Sequence, residues 1–236
     1  MLYYGAFPRG EHLMKKHLLF IRSGDVQSPF SREEDRVAHT VLKRLAQEYK
    51  ITVLSPSFAK CRAVEEMQSV TYIRLGKKRA NSKSTFNLGM YLAVFRYYQK
   101  HIRNRYKYHM VIEEVNPFPF LFSLYGNTKS ILLVEKLGGR EWFNVFPWYL
   151  SWAGYLFLEP FYLFLMRGRE VITFSDQIKK RLLKFGFQGD RVHVVPSILL
   201  KNPKQLYFHL LCILENIPQV ETAPRPLKLR RFSYIK

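Results

Sequence analysis

Residues 31–55 (SREEDRVAHTVLKRLAQEYKITVLS) carry two hydrophobic periods in succession. Val37, Ala38, Val41, Leu42, Leu45 and Ala46 recur at helical spacing, which predicts a helix with one apolar face. Ser31 and Glu34 stand in the S-x-x-E relation of a capping box and predict where that helix starts. Residues 51–54 form a short β-branched run, the pattern of a parallel strand buried on both sides. Residues 17–21 read as another such strand. Strand, loop, helix, strand is a βαβ unit, and open α/β sheets bind ligands over the carboxyl ends of their strands. The polar loop 22–30 is therefore the first expected functional region.

The same alternation continues along the chain. Strands are predicted at 70–75, 110–112, 130–134, 170–174 and 192–195. A basic loop is expected at 76–84 and a helix over 88–105, with Leu88, Leu92, Val94 and Phe95 apolar. Asn116 opens a proline-rich turn leading to a short helix. A basic helix over 176–185 is stopped by Gly186, a residue suited to a helix C-terminus. The fold class expected is α/β, a Rossmann-like doubly wound parallel sheet over residues 15–198. Residues 1–14 read as an upstream extension, with Met14 an alternative start, and no signal-peptide pattern precedes the first strand. Residues 199–236 read as an irregular basic tail with one helical patch at 206–214.

Composition narrows the partners. The chain has 236 residues, 47% hydrophobic and 16% aromatic, which excludes a disordered chain. Its net charge of +20 calls for a negative partner: nucleic acid, an anionic membrane surface or a phosphorylated substrate. Lys77, Lys78, Arg79 and Lys83 form one basic group, and Arg96, Lys100, Arg103, Arg105 and Lys107 a second, interleaved with Tyr97, Tyr98, Tyr106 and Tyr108. No nucleic-acid motif accompanies them, so acidic lipid headgroups are the expected partner and nucleic acid is not. Cys61 and Cys212 match no metal or redox spacing and read as idle thiols in a reducing, cytoplasmic setting. The seven histidines show no ligand spacing, and no metal is expected.

Residues 142–158 are uncharged and at the lower edge of a bilayer-spanning length. Three readings stay open for them: a membrane span, a buried helix pair, or a helix lying in the headgroup region. Among polar groups, Glu113, Glu114, Asn116 and Glu135 stand at predicted strand ends, where side chains can face the ligand crevice. Alternatively Glu114 is solvated and Glu113 caps the next turn. Ser175 precedes a helix and reads as its N-cap or as part of an anion site.

Together these stretches resemble a known family. EEDRVAHTVLKRLAQEYKITVLS resembles the first helix and second strand of family 4 glycosyltransferases, and VITFSDQIKKRLLKFGF with RVHVVPS resembles a later passage of the same family. VIEEVNPFPF and EWFNVFPW are similar to segments between them. The resemblance spans about residues 15–197 and implies the N-terminal, acceptor-binding half of a GT-B fold. It implies retaining sugar transfer from a nucleotide-sugar to a saccharide or lipid-linked acceptor, usually without a metal and with no other cofactor. The donor half, with its glutamate pair, would come from a missing or separate domain. A truncated or frameshifted gene, or a non-catalytic subunit with a separate donor-binding partner, is the alternative. By this resemblance Arg22, Ser23, Gly24 and Arg32 would line the mouth of the site, with Glu113, Asn116 and Glu135 opposite. Glu135 occupies the strand end where many members carry a histidine near the reaction centre. The expected location is the cytoplasm, peripheral to the membrane.

Overall fold

The computed structural model describes residues 15–79, 88–103 and 108–216. The extension 1–14, the basic residues Lys83, Arg105 and Lys107, and the proline-rich end of the tail lie outside the described residues. Among the described residues, eight strands form one sheet: β1 (His17–Ile21), β2 (Lys50–Phe58), β3 (Val64–Met67), β4 (Val70–Arg79), β5 (Met110–Val115), β6 (Ser130–Val134), β7 (Glu170–Thr173) and β8 (Val192–Val194). Their order is β3-β4-β2-β1-β5-β6-β7-β8. Every neighbouring pair is parallel except β3 with β4. The chain grows outward from β1 through β2 to β4, returns to the other side of β1 with β5, and grows the opposite way. The reversal between β1 and β5 is the topological switch point of a doubly wound sheet.

Alternation along the strands feeds two layers. Leu18 and Phe20 of β1 and Met110 and Ile112 of β5 face a core with Val41, Leu42 and Leu45 of α1 (Glu33–Leu45). Leu19, Ile21 and Val111 face the other side, under Met90 and Val94 of α2 (Leu88–Tyr97), which runs on into a π-turn, Tyr98–Ile102. A short α3 (Phe122–Tyr125) follows β5, and α4 (Glu141–Val145) follows β6. Next come α5 (Trp148–Ala153), a π-turn at Gly154–Leu158 and α6 (Glu159–Met166), then α7 (Asp176–Lys184). Leu163 and Met166 of α6 and Leu182 of α7 pack beneath β6, β7 and β8. Each fully buried Leu or Ile contributes about 1.5–3 kcal/mol, so both layers are needed to hold the sheet.

Several expectations are revised. The capping residue of α1 is one position later than expected: the Arg32 N–H donates to Asp35 Oδ2 at 2.9 Å, while Ser31 turns toward the Arg32 carbonyl. Residues 76–79, expected in a loop, continue β4, and β3 was not foreseen. Of the apolar residues named on α2, Val94 is buried together with Met90, while Leu88, Leu92 and Phe95 are exposed. β5 runs through Glu113 and Glu114 instead of ending before them. The helical patch expected at 206–214 is α8 (Pro203–Asn216), whose Leu206, Tyr207 and Leu214 join the core against α1. Gly186 ends α7 with φ +85°, its N–H reaching the Leu183 carbonyl at 3.0 Å. None of the helices described is long and apolar enough to cross a membrane.

Candidate functional site

β1 hands the chain to its loop at Arg22, whose backbone N–H still donates to Leu54 of β2 at 2.9 Å. The residue is 5% exposed, and its side chain turns into the switch point. There Arg22 Nε donates to Glu114 Oε2 at 3.1 Å, and its Nη2 lies 3.4 Å from Asp35 Oδ1 and 3.8 Å from Glu135 Oε1. The Ser23 N–H and hydroxyl both donate to Glu114, each at 3.0 Å. Arg32, at the start of α1, puts Nη2 3.9 Å from Glu114 and Nε 3.6 Å from Asp35. Asn116 Nδ2 donates to Glu135 Oε2 at 2.7 Å. Five sequence candidates, Arg22, Ser23, Arg32, Asn116 and Glu135, are thus gathered around Glu114 and Asp35.

Gly24 shapes the same point. A Cβ there would sit 2.0 Å from Asp35 Oδ1, so any larger residue would push the loop off the helix start. Burial raises the cost of charge on Glu114, and the Arg22 guanidinium and Ser23 donors outweigh it, holding that carboxyl below its ordinary value. Glu135 goes the other way: burial and the charge of Glu114 push it up, against the pull of Arg22. With its side chain 14% exposed, Glu135 is the one member of the group that both reaches solvent and holds a proton readily. A carboxyl so placed can exchange a proton with a bound hydroxyl.

Two candidates stand elsewhere. Glu113, fully buried, points to the opposite face of the sheet from Glu114 and accepts the Ser123 N–H at 3.0 Å at the start of α3. Burial pushes it up to about 7. It therefore caps a turn and does not face the crevice. Ser175 holds the N-cap position of α7, but its side chain makes no capping bond. It lies at the end of β7, three strands from β1 in the sheet.

Asp35, Asp25 and Arg74 were not singled out in the sequence. Asp35 had a signal, being the third helical position of α1 in a run of three acidic residues. Asp25 and Arg74 had none, since they meet across 49 positions. Arg74 Nε donates to Asp25 Oδ2 at 2.9 Å, and its Nη atoms reach Glu65, Gln27 and the Arg62 carbonyl. Ser55 adds a 2.6 Å bond to Asp25.

A cavity of about 190 Å³ opens beside the Arg22 group, between α1, α8 and the sheet. Phe20, Ile112, Leu133, Phe174 and Leu210 line it, with Arg22, Glu135 and Lys136 also on its wall. A cavity only slightly smaller than this holds a benzene ring, so an apolar group of a ligand fits while its polar part meets Glu135. Among the described residues, no group of three or more His, Cys, Asp or Glu side chains is arranged to hold a metal ion.

No family model matches the sequence, and no curated protein does. Among solved structures, a sucrose-phosphate synthase of Thermosynechococcus elongatus aligns over 83% of this chain and 99% of its own, at 12% identity and a TM-score of 0.45. A likeness at that level says nothing about activity.

Proposed function

We propose that this domain is the acceptor-side half of a retaining glycosyltransferase, acting with a donor-binding half from another domain or another chain. One observation carries the reading: the Arg22–Glu114–Asp35–Glu135 group lies at the switch point, above the carboxyl ends of β1, β5 and β6. The family resemblance of residues 15–197 agrees with it. In this reading Glu135 accepts a hydrogen bond from the acceptor hydroxyl and takes its proton as the hydroxyl attacks the sugar. Arg22 and Asn116 are positioning residues that fix Glu135. The cavity beside them receives the apolar portion of a lipid-linked acceptor. Stabilisation of the leaving diphosphate is the work of the donor half.

One feature favours a second reading, an acceptor-binding subunit without catalysis. Glu114 is already held by Arg22 and Ser23, and one oxygen of Glu135 by Asn116, so much of the group is committed to the chain itself. Radiolabelled UDP- and GDP-sugars, offered with short saccharides and lipid-linked saccharides to the chain joined by its donor-binding half, separate the two. Transfer with retained anomeric configuration, lost in Glu135→Gln, supports the first. Saccharide binding with no donor consumption supports the second. Nucleotide-sugar binding with no saccharide binding overturns the acceptor-side assignment.

A further inference from the structure

The run from α5 through the π-turn to α6 is built inside out. Its inward stripe is Ser151, Gly154, Glu159, Tyr162, Leu163 and Met166. Three of those six are small or polar. Glu159, 1% exposed, accepts the Gly139 N–H at 2.7 Å, Trp142 Nε1 at 3.0 Å and an Arg181 Nη2 at 2.8 Å. Ser151 Oγ lies 2.9 Å from the carbonyls of both Trp142 and Phe146. A Cβ on Gly154 would come within 2.0 Å of the Trp142 ring, so the run is seated flush on that indole. The outward side carries Trp148 at 73% exposure, Phe157 at 71% and Phe161 at 61%, with Tyr149, Trp152 and Leu156 beside them. A helix facing water shows the reverse arrangement. These anchors prevent it from rolling to hide its apolar side, and an exposed patch of this size marks a contact with something apolar.

We propose that this outward face seats on an anionic lipid bilayer, lying in the plane of the headgroups. Charge separates a bilayer from a protein partner. From Trp142 to Met166 the sole charged residue is Glu159, which is buried and paired with Arg181. Positive charge follows the run: Arg140 and Glu141 before it offset each other, while Arg167 and Arg169 come after it, Arg167 with its guanidinium 4.2 Å from the Phe164 ring centre. On the same side of the sheet, α2 exposes Leu88, Leu92 and Phe95 beside Arg96 and Lys100. The chain as a whole carries +20. Tryptophan and tyrosine around an apolar strip with a basic flank match the chemistry of an anionic headgroup layer. The inference stands without the glycosyltransferase reading.

The three tryptophans make the test direct. Trp148 and Trp152 lie on the outward face, and Trp142 is buried beneath it. The whole protein is mixed with phosphatidylcholine–phosphatidylglycerol vesicles whose acyl chains are brominated. The emission should shift to the blue and be quenched, and phosphatidylcholine alone should bind more weakly. Trp148→Phe with Trp152→Phe should keep vesicle binding and lose most of the quenching. Phe157→Ser with Phe161→Ser should lower partitioning at least about tenfold with an unchanged melting temperature. Vesicle binding without quenching, insensitive to the serine pair, would mean contact through another basic face and would overturn the proposal. A dimer in lipid-free buffer that the serine pair returns to monomer would also overturn it, by showing a protein interface. Neither outcome touches the saccharide assay, so the two readings fail separately.

Discussion

Arg22 and Arg74 are both buried in the same end of the sheet, yet they are served differently. Arg74 is closed: Asp25, Glu65, Gln27 and the Arg62 carbonyl take its donors, and its side chain is 0% exposed. Arg22 has longer contacts, 3.1 to 3.8 Å, to three carboxyl groups, one of which reaches solvent. A saturated guanidinium holds β3, β4 and the β1–α1 loop together. A guanidinium with surplus carboxyls leaves one of them poised for a proton. Buried charge alone does not mark a site; an imbalance of partners does.

Arg74→Met leaves Asp25 buried without its cation and should cost about 3–5 kcal/mol, lowering the melting temperature by roughly 10 °C. Arg22→Met should cost less, because Arg32 stays beside Glu114 and Glu135 can remain protonated. Equal losses in differential scanning calorimetry would erase the distinction.

Acid titration gives the next largest effect. Glu113 is pushed from 4.5 up to about 7, and Glu135 shifts in the same direction. The folded chain therefore keeps protons that the unfolded chain releases. The stability these groups confer at low pH is lost as pH rises from about 4.5 to about 7, by a few kcal/mol in total. Glu113→Gln and Glu135→Gln should each flatten part of that slope in denaturant melts across the range. A third test concerns the loop: Gly24→Ala should cost about 1–3 kcal/mol, and much less when Asp35 is already Ala. The smallest change is Ser23→Ala, about 1 kcal/mol, since the Ser23 N–H still holds Glu114.

The sheet was legible where the residues carried a clean period. Residues 17–21 and 130–134 were read to the residue, because buried parallel strands leave unbroken apolar runs. β3 escaped because VEEM carries two acidic residues and pairs only at one edge. The inward face of α2 was not legible, because Leu88, Leu92 and Phe95 are as apolar as Val94 yet turn outward. At the site, position along the chain located Arg22, Ser23, Asn116 and Glu135 near the strand ends, but not who meets whom. Glu113 and Glu114 look alike in sequence, and the pleat of β5 sends them to opposite sides.

That pair has a further consequence. On β5, Ile21 of β1 sits opposite Glu113, and Leu133 of β6 opposite Glu114. Sliding β5 by one residue one way would carry Glu114 into the buried place of Val115, and the other way would carry Glu113 into that of Ile112. Val115 packs with Leu132 and Val134, and Ile112 with Phe20 and Ile131, so either slide would bury a carboxylate among apolar side chains. In the native alignment one carboxyl is held below its ordinary value and its neighbour above, each by its own surroundings. Two adjacent glutamates thereby act as a key that admits a single alignment of the central strand, and the geometry over the switch point inherits that selectivity.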